Sequence, residues 1–157
     1  MTSRAAEWSL AGATAGIVIL ASTSPAYAGL GRSYDSLDAD RLMLGAKIVS
    51  TSAGAYTVHT LTLPNQGVVK EFTRADGRVF AVVWKAPGRP DLRQLLGDNF
   101  DAVQADNDHR AGRRMRRPIS VIRSDLVVQS GGHPGGFWGV AVMTALQPKG
   151  FSANDLK

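Results

Sequence analysis

Residues 78–85 read RVFAVVWK, and this stretch decides the fold class. Side chains along an extended strand alternate between its two faces. Val79, Ala81 and Val83 then share one face, while Phe80, Val82 and Trp84 share the other. Both sets are apolar, so both faces need cover, which predicts a central strand or a strongly curled sheet. Just before it, Ala75-Asp76-Gly77 carries a hairpin signal, and 68–73 reads as the partner strand. Pro64-Asn65-Gln66-Gly67 is a turn, preceded by AYTVHTLTL at 55–63, rich in Thr, Val and Tyr. In that strand His59, Leu61 and Leu63 face one way, and Tyr56, Val58, Thr60 and Thr62 the other. The three segments predict an antiparallel meander.

Outward from the meander the pattern changes period. Pro87-Gly88-Arg89-Pro90 breaks the chain, and Leu92, Leu95, Leu96, Phe100 and Val103 then form one apolar stripe of a helix over 91–103. Pro90 and Asp91 suit its entrance, and Gly97 weakens its middle by roughly 1 kcal/mol against Ala. Residues 104–118 show no apolar periodicity and read as an Arg-rich loop. Strands are predicted over 119–129 and 137–146, joined by the glycine-rich SGGHPGG at 130–136. Near the C-terminus Ser152 and Asp155 are spaced like a capping box. Toward the N-terminus a helix is expected over 34–46, entered through Asp35 or Ser36, with Ala39, Leu42, Met43 and Ala46 on one face. The order helix, three strands, helix, two strands predicts an α+β domain. Its sheet is mainly antiparallel, a three-strand meander, a helix and a two-strand hairpin, with helices packed on one face.

The first 28 residues read as a secretory signal peptide. LAGATAGIVILA at 10–21 is uncharged, and as a helix it spans about 18 Å, short of the roughly 30 Å bilayer core. Pro25 breaks it, and Ala26-Tyr27-Ala28 offers the small-x-small pattern of a cleavage site. Cleavage after Ala28 leaves a single domain over 29–157, periplasmic or secreted, which meets a membrane only through the transient leader. The chain of 157 residues has no Cys. That excludes disulfides, a thiol nucleophile and Cys-ligated zinc.

The candidate chemistry is sparse. Arg110, Arg113, Arg114, Arg116 and Arg117 crowd five guanidiniums into eight positions, within a net charge of +5. They form a candidate anion-binding patch, for which envelope polymer or anionic lipid is the expected polyanion. A solvated loop beside Asp98, Asp101, Asp106 and Asp108 is the ordinary explanation of such a run. No nucleic-acid partner is expected, because aromatic side chains do not interleave with the arginines and no recognition motif is present. SGGHPGG lacks the Lys-Ser/Thr pair of a phosphate loop, and a hairpin connection accounts for it. His59, His109 and His133 show no metal-ligand spacing, so no metal or other cofactor is expected. His59 suits a hydrogen-bonded core position. His133, His59 and Asp91 are the candidate catalytic residues of a hydrolase-like alternative. Trp84 and Trp138 are both expected in the core, with an exposed Phe137-Trp138 lip as the other option.

Six stretches, YTVHTLTLP (56–64), VVKEF (68–72), GRVFAVVWKAP (77–87), PDLRQLLG (90–97), DLVVQSGGH (125–133) and PKGFSANDL (148–156), resemble in order and spacing one family of exported bacterial proteins, domain of unknown function 2844. The resemblance implies a single exported domain and brings no catalytic or cofactor residue with it. In that family the mature chain commonly begins Leu-Gly-Gly, and Gly29-Leu30-Gly31-Arg32 stands in that place here. The Arg-rich stretch 110–117 resembles an insertion in a variable region of the family. The function expected is a non-enzymatic binding module, whose partner is a protein or an envelope polymer. A polyanion-binding assembly factor using the five arginines and the hydrolase-like reading stand as alternatives.

Overall fold

The computed structural model describes residues 29–33, 37–111 and 118–156. Seven antiparallel strands form one sheet in the order β1-β2-β3-β4-β7-β6-β5. They are β1 (Lys47–Ser52), β2 (Tyr56–Thr62), β3 (Val68–Arg74), β4 (Val79–Ala86), β5 (Ile119–Ile122), β6 (Leu126–His133) and β7 (Gly136–Met143). The helices are α1 (Leu37–Leu44), α2 (Leu92–Leu96) and α3 (Phe100–Ala111). This is a sheet-rich α+β domain. The signal-peptide reading of 1–28 falls outside the described residues. Among those described, no helix is long and apolar enough to cross a membrane.

β4 is the fourth of the seven strands, the central position its two apolar faces predict. Its alternation is broken once. Phe72 pairs with Ala81 but Thr73 with Val79, so Phe80 is an extra residue in the ladder. The bulge flips the phase: Val79, Val82 and Trp84 pack on one face, and Phe80, Ala81 and Val83 on the other. A strict period of two misplaces Val79 and Phe80 for that reason.

The first face is covered by helices. Leu95, Leu96 and Val103 pack there with Leu61, Val69, Val82, Trp84 and Val128. Leu30 is 1% exposed in the same layer. The segment 29–33 is tied in by Gly31 N–H donating to the Val79 carbonyl (2.8 Å) and Val79 N–H to that of Arg32 (2.9 Å). The second face is covered by the C-terminal segment. Phe151 makes edge contacts with Phe80 (centroids 4.8 Å apart), Tyr56 (5.4 Å) and Phe72 (5.8 Å). Ser152 and Asp155 form the reciprocal cap: Ser152 N–H donates to Asp155 Oδ2 and Asn154 N–H to Ser152 Oγ. The Tyr56 phenol is held above its ordinary pKa by burial first and then by the nearby Asp155 carboxylate.

Five expectations are corrected. The meander has a fourth strand, β1, whose residues are almost all exposed, so no alternation betrays it. Residues 119–129 are two strands, because Arg123-Ser124-Asp125 turns the chain without Gly or Pro. There Arg123 N–H donates to the Leu126 carbonyl at 2.8 Å. The glycine-rich segment is mostly strand. His133 pairs with Gly136 across a two-residue turn, Pro134-Gly135, with Gly135 at φ 93°. The helix over 91–103 is broken at Gly97 (φ 54°) into α2, a 3₁₀ turn and α3, which reaches Ala111 instead of ending near Val103. Residues 104–111 are therefore helix, not loop. Lastly, Leu42 and Met43 are exposed (71% and 57%), while Ala46 packs on the core as its place on that face predicts and Leu44 joins it there.

Two glycines within the sheet, Gly131 and Gly139, have a packing role. Gly139 lies opposite Trp84, and a Cβ there would collide with the indole. Gly131 lies opposite Trp138, where a Cβ would sit 3.4 Å from indole Cζ2. Each tryptophan lies over the vacancy its glycine partner leaves. Trp84 is 1% exposed but Trp138 is 49% exposed, which corrects the core placement of Trp138. The difference is which face each occupies: alternation puts Trp138 on the side away from the helices.

Candidate functional site

The cleft of interest lies between α3 and the β6–β7 hairpin. α3 shows why. Phe100, Val103, Gln104, Asn107 and Asp108 recur at i, i+3, i+4, i+7 and i+8, so they share one face. That face starts apolar and turns polar. Val103 is 2% exposed in the core, whereas Gln104, Asn107 and Asp108 line a cleft of about 410 Å³. The volume falls in the range of small-ligand sites.

The opposite wall is the glycine ribbon, Ser130, Gly131 and Gly132, with Phe137 across from it on β7. Pro118, Ile119, Arg89 and Pro90 complete its lining on the strand side and the α2 approach. The Arg89 guanidinium sits 5.7 Å from the Phe137 ring centroid. Arg93 stacks on Phe100 at 4.4 Å and pairs with Asp101 at 3.0 Å. The Ser130 hydroxyl is committed, donating to the Trp138 carbonyl at 3.0 Å. The side chains of Gln104 and Asn107 make no hydrogen bond to any described residue. The cleft thus offers two amides and a guanidinium around two aromatic rings.

The sequence-predicted catalytic residues are distributed over the fold. His59 is on β2, 3% exposed, with Nδ1 2.8 Å from Ser50 Oγ and Nε2 2.9 Å from Thr73 Oγ1. Burial lowers its pKa from 6.5. This is the hydrogen-bonded core histidine its strand position suggested. Glu71, also buried, lies directly opposite it on β3. His133 is exposed at the β6–β7 turn, where its Nδ1 is 2.9 Å from the Pro134 carbonyl. Asp91 caps α2: its Oδ1 accepts from Arg93 N–H (2.9 Å) and Gln94 N–H (3.3 Å). Three different parts of the fold thus engage these three side chains. Arg110 falls on the last turn of α3, and Arg113, Arg114, Arg116 and Arg117 lie outside the described residues. Among the described residues no cluster of three or more His, Asp or Glu could hold a metal.

Gln104, Asn107 and Arg89 are the site residues that sequence reading passed over. The signal was present: Gln104 and Asn107 continue the Phe100–Val103 spacing with polar side chains. A core-facing stripe that turns polar marks a cleft where a loop was read.

The fold and the cleft define a class: an antiparallel, sheet-rich α+β fold with a mixed-polarity groove. The family model for proteins of unknown function, DUF2844, matches residues 26–156, and the chain belongs to that family. No curated protein and no solved structure matches it.

Proposed function

We propose that this protein is an exported, non-catalytic binding module that holds an envelope polysaccharide in the cleft between α3 and the glycine ribbon. The observation that carries the reading is the pair of amides, Gln104 and Asn107, without hydrogen bonds to the described residues and lining the groove with Phe137 and Arg89. Sugars present hydroxyl pairs and an apolar ring face. Planar amides and a guanidinium answer the hydroxyls, and aromatic rings answer the face. His59, His133 and Asp91 serve local structure, as a core bridge, a turn contact and a helix cap. Export is supported by the charge-free leader at 10–21 and the Ala26-Tyr27-Ala28 site. The buried Gly29 and Leu30 that follow would begin the mature chain as part of its core.

The test is a screen of the 29–157 chain against immobilised bacterial oligosaccharides, followed by calorimetry on the tightest. Binding should weaken roughly tenfold or more in Gln104→Ala and in Phe137→Ala, a loss of about 1.4 kcal/mol or greater. Both variants should keep the parent melting temperature within about 3 °C. Binding unchanged by both substitutions, or no retention on any sugar, would overturn the proposal. Amino-terminal sequencing of exported protein should begin at Gly29; a retained Met1 would remove the export part.

A further inference from the structure

The sheet face away from α2 and α3 holds a second cleft, and the strand register locates it. Across β3, β4 and β7, Val68, Lys85 and Trp138 form one lateral row. Lys70, Val83 and Val140 form the next, and Phe72, Ala81 and Val142 the third. The C-terminal segment seals the third row, where Phe151 packs on Phe72 and Phe80. Its last turn reaches the open rows only through Ala153 and Leu156. What remains is a cleft of about 470 Å³ over Val68, Val83, Val140 and Trp138. Lys70 and Lys85 stand at its border on adjacent strands.

Two features specify an occupant. First, the lining is almost wholly apolar, and β3, β4 and β7 are interior strands whose ladders are paired on both sides. A peptide or a sugar seated there would give up water contacts from its amides or hydroxyls and gain no hydrogen bonds in return. An alkyl chain has no such groups to satisfy. Second, the charged groups on the border are ammoniums. Lys85 is exposed and forms no ion pair with any described residue. A cation at the mouth of an apolar groove complements an anionic head attached to an apolar tail, and lysine stems can lie along the tail while their heads stay wet.

We propose that this cleft binds a single-chain anionic amphiphile: an alkyl chain ending in a carboxylate. The chain lies over Val83, Val140 and the exposed flank of the Trp138 indole, and the carboxylate meets Lys85, with Lys70 one row further in. The site is on the opposite face from the polysaccharide cleft and stands or falls separately from it.

The experiment is calorimetric titration of the 29–157 chain with dodecanoate below its micelle concentration, with tryptophan emission recorded in parallel. Saturable binding of one equivalent with a blue shift is expected, because an exposed Trp138 becomes dry. Lys85→Glu should weaken it roughly tenfold or more. Leu156→Asp, at the other wall, should do the same, and Gln104→Ala should leave it unchanged. Dodecyltrimethylammonium, with the same tail and the opposite charge, should bind roughly tenfold or more weakly than dodecanoate. Equal affinity for the two surfactants, or dodecanoate binding that survives Lys85→Glu, would overturn the proposal. Binding to anionic vesicles without binding to monomeric dodecanoate would overturn it too, in favour of a membrane-docking face.

Discussion

The two faces of this sheet are made from the same strands yet finished differently. One is closed by α2, α3 and the segment 29–33, and it holds Trp84 at 1% exposure together with the buried pair His59 and Glu71. Among the described residues the other is closed across its Phe72–Ala81–Val142 row, by Phe151 and the terminal turn, with Trp138 49% exposed. Alternation along β4 and β7 demands an apolar surface on both sides, but the supply of covering chain differs. Among the described residues, α2 and α3 cover one face, while the segment after β7 covers part of the other. The cavities that result differ in kind. On the helix side a cleft opens where α3 turns polar, and on the other side where the cover runs out.

The contrast can be broken most directly at its two tryptophans. Trp84→Ala removes a fully buried indole and should cost about 3–5 kcal/mol in urea unfolding. A loss below about 1 kcal/mol would mean that the helix-covered face is not the sealed one. Gly139→Ala is the complementary test, adding a methyl where the Trp84 indole lies, with an expected cost of about 1–3 kcal/mol. The double variant Trp84→Ala/Gly139→Ala should cost less than the sum of the singles, because each removes the other's reason.

The buried histidine gives the sealed face a pH signature. Burial holds the His59 pKa below 6.5, so the unfolded chain takes up the proton more readily than the folded one. The contribution of His59 is therefore full above pH 6.5 and is lost as pH falls from there toward the lower folded value. Unfolding measured at pH about 7.5 and about 5.5 should show a drop that shrinks in His59→Gln. An identical drop in the variant would place its cause elsewhere. The smallest effect belongs to the open face: Trp138→Ala should change stability by less than about 1 kcal/mol. A larger loss would show that its indole is structural, leaving less of the cleft for a ligand.

Much of this fold was legible. The meander from Tyr56 to Ala86, the central position of β4, the core position of His59 and the Ser152–Asp155 cap all follow from spacing and residue type. What was not legible has physical reasons. The bulge at Phe80 adds a residue to a strand apolar on both faces, where a shift of phase leaves no trace in hydrophobicity. β1 is an edge strand with little buried surface, so its residues need not alternate. The β5–β6 turn uses Arg123, Ser124 and Asp125, which any exposed segment might contain. Gly131 carried the usual signal for a flexible loop and Gly139 lay inside a predicted strand, but both make room for indoles that only β-pairing brings opposite them. The cleft beside α3 was half visible: the glycine ribbon and Phe137 stood out, while Gln104 and Asn107 fall in a stretch read as loop, because a helix was expected to stop where its apolar stripe did.

By itself the sequence determined the class of the domain and which strand lies at its centre, since alternation and helical spacing are local properties written within a few residues. Tertiary structure alone decided which face each tryptophan occupies, which carries the helices and where the clefts open. Those outcomes depend on strand register and on which segments pack over each side, and neither is encoded in any one segment.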